Sequence, residues 1–126
     1  MGNKALSSIS GRRILVVEDE YLIASDLQLW LEDQEAEVLG PVPTVAAALA
    51  LLEDEARPDI AVLDINLGHE QVFPVADALQ AAEVPFVFVT GYDARLIPTR
   101  YDDVPWCLKP LDRTRLLRTL AEVLLA

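Results

Sequence analysis

The chain is nearly devoid of cysteine and histidine, with Cys107 and His69 alone among 126 residues. A disulfide framework needs paired cysteines and a zinc centre needs several thiolate or imidazole ligands, so a single chain supports neither. Cys107, inside a short apolar run, reads as a buried structural thiol, and His69, after Gly68 in a polar loop, as an ordinary loop histidine. Positive charge is also scarce. Ten Lys and Arg face 21 Asp and Glu, giving a net charge of -11 and a pI near 4.3, which argues against direct nucleic-acid binding through a basic surface. No apolar stretch reaches the roughly 18 residues that cross a bilayer, and MGNKALSSISG lacks the organisation of a secretory signal, so the expectation is a cytoplasmic protein without membrane association. Gly2 and Ser7 miss the spacing of a myristoylation start. Neither a Gly-rich phosphate loop nor a dinucleotide glycine fingerprint is present, which disfavours a nucleotide enzyme.

What is present is an ordinary globular composition, 52% hydrophobic and 25% charged, at a length that suits one domain. Residues 1–11 read as a flexible N-terminal arm ending at Gly11, and 12–126 as the folded domain. Strand patterns fall at 13–18, 36–40, 59–63 and 85–90, with a last, edge strand after Pro105. Between them, Glu20 to Asp33 carries Leu22, Ile23, Leu27, Trp30 and Leu31 at helical spacing. Thr44 caps a helix running to about Glu55, with Val45, Ala48, Leu49 and Leu52 inward. A helix over 70–82 turns Val72, Phe73, Ala76 and Leu79 inward, and Pro98 permits only a short or distorted helix between Asp93 and Asp103. Asp112 caps a terminal helix with Leu116, Leu117, Leu120, Val123 and Leu124 inside. Strands alternating with helices predict an α/β fold: a doubly wound three-layer sandwich around a five-stranded parallel sheet of order 2-1-3-4-5.

Four of the apolar runs end in a reactive polar residue. ILVVED reaches Glu18 and Asp19, IAVLD reaches Asp64, FVFVT reaches Thr90 and WCLK reaches Lys109. The carboxyl ends of parallel strands share one rim, so these residues converge on an acidic pocket. Like charges about 4 Å apart repel by roughly 4 kcal/mol at an effective dielectric near 20, so the cluster calls for a hard cation or raised pKa values. Oxygen donors suit Mg2+, with Mn2+ as a substitute.

Together ILVVEDE, VLDINL, VFVTGY and LKP resemble the signatures of the receiver domain of bacterial two-component response regulators, over roughly residues 12–125. The resemblance implies that Asp64 is the phosphoacceptor, that Glu18, Asp19, Asp64 and the backbone carbonyl of Asn66 hold Mg2+, and that Lys109 pairs with Asp64 and then with its phosphoryl group. Three carboxylates, one Mg2+ and Lys109 then sum to zero formal charge. Thr90 is implied as the hydroxyl that reports phosphorylation, with Trp106, three positions before the lysine, as its aromatic switch partner. Lys109-Pro110 matches a signature in which that bond is cis. Asn66 and Tyr92 occupy positions that tune hydrolysis, and Gly91 lies between Thr90 and Tyr92.

Phe88-Val89-Thr90-Gly91-Tyr92 is similar to a Phe-Ala-Thr-Gly-Tyr signature found in stand-alone receivers, many of which partner atypical histidine kinases in stress signalling. Val89 departs from its alanine, and Leu67-Gly68 replaces the usual Met-Pro. The implied activity is phosphoryl transfer from a sensor histidine kinase or histidine phosphotransfer protein to Asp64, then slow autodephosphorylation, rather than conventional turnover. The output is altered binding to a downstream protein, and weak homodimerisation is compatible with it. No output domain lies within these residues, which suggests a receiver without one, although an excised receiver stays open. The alternative is a phosphorylation-independent interaction domain on the same fold. An aspartyl-phosphate hydrolase would need an aspartate at position 66, where Asn66 stands.

Overall fold

The computed structural model describes residues 8–54, 57–91, 95 and 97–126; residues 1–7, 55, 56, 92–94 and 96 lie outside that description. The chain runs β1 Arg13–Val17, α1 Tyr21–Asp33, β2 Glu37–Val42, α2 Val45–Asp54, β3 Ile60–Asp64, α3 Phe73–Ala81, β4 Phe86–Thr90, a 3-10 turn Thr99–Tyr101, β5 Trp106–Leu108 and α4 Arg113–Leu125. The strands form one parallel sheet of order β2-β1-β3-β4-β5, as expected. β3 and β4 are buried at every position, which is why they read as unbroken apolar runs rather than alternating ones.

Alternate strand residues feed two cores. Leu15, Val17, Ala61, Leu63, Phe86 and Phe88 face α2, α3 and the 3-10 turn. Ile14, Val16, Ile60, Val62, Val87 and Val89 face α1 and α4. Two caps expected from the sequence are formed: Thr44 Oγ1 accepts from the Ala47 amide at 3.1 Å, and Asp112 Oδ1 accepts from the Arg115 amide at 3.0 Å.

Several expectations are corrected. Residues 8–11, assigned to the arm, form a turn: the Gly11 amide donates to Glu35 O at 2.8 Å and Ile9 is wholly buried in the α1/α4 core. Leu22 is exposed, on the same outer face as Leu29 seven residues on, while Ala24 turns inward. Helix α3 starts at Phe73 rather than at residue 70. Leu67 and Val72 amides bond to Glu70 O and Ile65 O in the preceding loop, and Pro74 occupies the first turn, where a missing N–H costs nothing. Tyr101, whose exposure the sequence leaves open, is buried: it stacks on Phe73 at 5.5 Å and meets Phe88 edge-on at 5.4 Å. Its hydroxyl donates to Asp77, which also receives Arg100 Nε at 3.2 Å.

Strand β2 runs past its expected end at residue 40, through Gly40 and Pro41. It is an edge strand, where proline's missing donor faces no neighbour. Leu15 pairs with Leu39 and Val17 with Val42, so Gly40 and Pro41 together oppose Val16 as a bulge. The Gly40-Pro41 bond is cis, as is Lys109-Pro110, where the resemblance implied it. Gly40 has φ +89, and a Cβ there would lie 2.8 Å from Val42 N and 3.0 Å from Val16 O, both backbone atoms. Gly40→Ala is therefore expected to cost about 2–3 kcal/mol. A urea midpoint equal to that of the parent protein would show that the bulge relaxes freely.

Candidate functional site

The sheet register brings the site together. Val17 pairs with Leu63, Asp64 with Val89, and Thr90 with Leu108. Glu18, Asp64, Thr90 and Lys109 therefore all stand at, or one residue beyond, the carboxyl ends of neighbouring strands. The Lys109 amide donates to Thr90 O at 2.8 Å, and the Glu18 amide to Val42 O at 3.0 Å, so both flanking turns are tied to the sheet. Glu18, Asp64 and Thr90 are the buried polar residues among those described. They line the end of an otherwise apolar layer, where a charge without a partner is costly.

Lys109 supplies that partner. Its Nζ lies 3.2 Å from Asp64 Oδ2, 3.2 Å from Glu18 Oε1, 3.3 Å from Glu18 Oε2 and 3.1 Å from Glu20 Oε1. Burial pushes the Asp64 carboxyl up to about 8; a hydrogen bond that protonated Asp64 donates to Glu18 and the charge of Glu18 add to this, and Lys109 only partly offsets it. Burial alone would lower the Lys109 ammonium, but the Asp64 and Glu18 charges and the bond to Glu20 outweigh it and hold it above its ordinary value.

An open cavity of about 440 Å³ at this rim is lined by Asp19, Glu20, Asp64, Asn66, Gly68, Gly91 and Lys109. One carboxylate oxygen each from Glu18, Asp19, Glu20 and Asp64 can be chosen so that all lie within 4.8 Å of one another. Glu18 Oε1 is buried and, despite its closeness to Lys109, has no hydrogen-bond partner among the described residues. An orphaned oxygen beside three further hard donors fits a divalent cation such as Mg2+.

Of the residues singled out from the sequence, Glu18, Asp19, Asp64, Asn66, Gly91 and Lys109 share this cavity or its wall, and Thr90 ends the strand between Asp64 and Lys109. Pro110 follows Lys109. Trp106 stands apart at the start of edge strand β5, partly exposed on the same face as Leu108. Tyr92 lies outside the described residues. The residue that sequence reasoning missed is Glu20. It sits just before α1 and reads as an ordinary first-turn acid, and only the arrival of Lys109 from a strand 89 residues later gives it a place in the site. With Glu20 counted, four carboxylates against Lys109 and one Mg2+ leave a formal charge of -1, not the zero obtained from three.

A family model, the response regulator receiver domain, matches residues 14–121. Sensory transduction protein LytT of Bacillus cereus is 37% identical over 112 residues, covering 86% of this chain and 45% of that protein. The chain spans less than half the length of the curated relatives it matches. Among solved structures, SdrG from Sphingomonas melonis Fr1 is similar at 42% identity and a TM-score of 0.79, covering 94% of this chain and 98% of that one. The BeF3-activated conformation of SdrG, from Pseudomonas melonis Fr1, is similar at 43% identity and a TM-score of 0.76, covering 91% and 98%. Among the described residues, no helix is long and apolar enough to cross a membrane.

Proposed function

The chain belongs to the response regulator receiver domain family, and on that premise we propose that Asp64 accepts a phosphoryl group from a histidine kinase or histidine phosphotransfer protein. The observation that carries this reading is the buried Asp64 carboxylate at the end of β3, 3.2 Å from Lys109 Nζ and facing an acidic, open cavity. A carboxylate fixed on a rigid strand is held in line for displacement at phosphorus. An Asp64 oxygen forms the bond to phosphorus, the phosphorus–nitrogen bond of the donor breaks, and its electron pair returns to the imidazole.

Glu18, Asp19, Asp64 and the Asn66 carbonyl would hold Mg2+, which, when bound, neutralises charge on the transferring phosphoryl oxygens. Lys109 holds Asp64 before transfer and a phosphoryl oxygen afterwards. The Thr90 hydroxyl, buried at the end of β4, turns to another of those oxygens. Phosphorylation adds about -1.5 to -2 charge, which rebiases the loops after β4 and β5 and so the surface offered to a downstream protein. Asn66 and Tyr92 set water access to the acyl phosphate, and Trp106 follows the movement of Thr90. Likeness to a protein with a BeF3-activated conformation supports the reading, because BeF3 has the shape and charge of a phosphoryl group.

Intact mass after incubation with acetyl phosphate and Mg2+ tests it. The expected result is a single adduct of about 80 Da, labile to hydroxylamine and lost with chelator or with Asp64→Asn. No adduct from acetyl phosphate or from phosphorylated histidine kinases would leave phosphorylation-independent protein binding as the function of this fold.

A further inference from the structure

An ammonium group has three hydrogens, and those of Lys109 meet three different carboxylates: Asp64 at 3.2 Å, Glu18 at 3.3 Å and Glu20 at 3.1 Å. The three acceptors are not equivalent. The side chains of Glu18 and Asp64 are almost wholly buried at strand ends, whereas that of Glu20 is 59% exposed. Glu20 precedes α1 and its carboxylate makes no cap to the helix; its backbone amide instead donates to Glu18 Oε2 at 3.1 Å. Of the three, the Glu20 carboxylate alone can swing into water without leaving a buried charge behind. Glu18 Oε1, which accepts no hydrogen bond although Lys109 Nζ lies 3.2 Å away, and the Asp64 carboxylate are the buried donors of the cluster, and Glu20 adds to them only a solvent-exposed oxygen.

We infer that Glu20 is the exchangeable partner of Lys109, a positioning residue that releases the lysine to an arriving phosphoryl group and sets donor preference by its charge. The inference rests on Asp64 as phosphoacceptor. While Glu20 holds Lys109, the third hydrogen is occupied and the cavity mouth carries one negative charge beyond what Mg2+ and Lys109 balance. A donor must displace that carboxylate and enter against it. With acetyl phosphate, an Asp64 oxygen bonds to phosphorus, the bond from phosphorus to the acetyl oxygen breaks, and acetate leaves with the electron pair. No proton transfer by Glu20 is involved, so its effect should follow donor charge and ionic strength.

The test compares phosphorylation rates of the wild-type chain, Glu20→Gln and Glu20→Asp by intact-mass time courses at saturating Mg2+. Acetyl phosphate carries roughly two negative charges at neutral pH and phosphoramidate roughly one. Glu20→Gln is expected to react roughly 3- to 10-fold faster than wild type with acetyl phosphate at low salt. The gain should be smaller with phosphoramidate, and it should shrink near 1 M salt, where the screening length falls to about 3 Å. Glu20→Asp, which keeps the charge, should retain the wild-type donor preference. A rate for Glu20→Gln that is unchanged or slower, or a gain equal for both donors and indifferent to salt, overturns the inference while leaving the phosphoacceptor reading intact. Absence of any adduct on the wild-type chain overturns both.

Discussion

Replacing Lys109 by alanine is expected to cost the metal-free protein about 3–5 kcal/mol, because it strands buried carboxylates that share one cation. The Lys109 side chain is 12% exposed, and those of Glu18 and Asp64 are 1% and 4%. The ordinary surface ion pair, worth about 0–1 kcal/mol, is therefore the wrong comparison. Water reaches Glu20, so its contribution is small, and the loss lies with the two buried acids. Asp64 already binds a proton more readily than a free carboxylate and can relieve part of the cost by taking one up. That relief is greatest at low pH, so the penalty should deepen as pH rises.

Millimolar Mg2+ would supply positive charge at the same cluster of carboxylates, and ligand binding stabilises the folded state by mass action. Most of the lost stability should return when urea midpoints are measured with Mg2+ in place of chelator. Arg118→Ala, which removes an exposed cation from α4, is the control and should change stability by no more than about 0.5 kcal/mol. A Lys109→Ala cost below about 1 kcal/mol, or a cost indifferent to Mg2+, would mean that the carboxylates reach solvent through local opening and that the cluster is not electrostatically closed.

The parts of this site that sequence revealed are those positioned by the sheet itself. IAVLD and FVFVT are apolar on both faces because helices cover both, so the first polar residue at the end of each run has to sit on the rim. Topology then brings Asp64, Thr90 and Lys109 to adjacent strand ends. Side chains outside that frame were less legible. Leu22 fits the apolar spacing of α1 as well as Ala24 does, and the difference comes from how α1 docks against Val16 and Val62. Tyr101 could not be assigned because its burial depends on a 3-10 turn after Pro98 that sets its ring against Phe73. Glu20 carried no signal at all, since its partner comes from the far end of the chain.

Asp64→Asn is expected to stabilise the metal-free protein by several kcal/mol at pH 9 and by much less at pH 5.5. In the unfolded chain Asp64 ionises near 3.8, and in the folded protein near 8, chiefly because burial disfavours the charge and Glu18 repels it. Below the lower value the residue is neutral in both states and costs nothing. Between the two, the folded state binds the extra proton, so stability falls as pH rises. Above about 8 the charge is present in both states and the full penalty applies. Each unit of separation is worth about 1.4 kcal/mol. Asparagine has the shape of the neutral acid and never ionises, so its advantage should grow through this window and then level off. Mg2+ should reverse the order: a carboxylate ligand gains from the cation and an amide much less. Urea denaturation of both proteins at pH 5.5, 7 and 9, with chelator and with Mg2+, measures all of this. A stability difference that stays constant across pH, or an Asp64→Asn protein no more stable than the parent at pH 9 without metal, would show that Lys109 neutralises Asp64 completely and that the pocket stores no electrostatic energy for the cation to release.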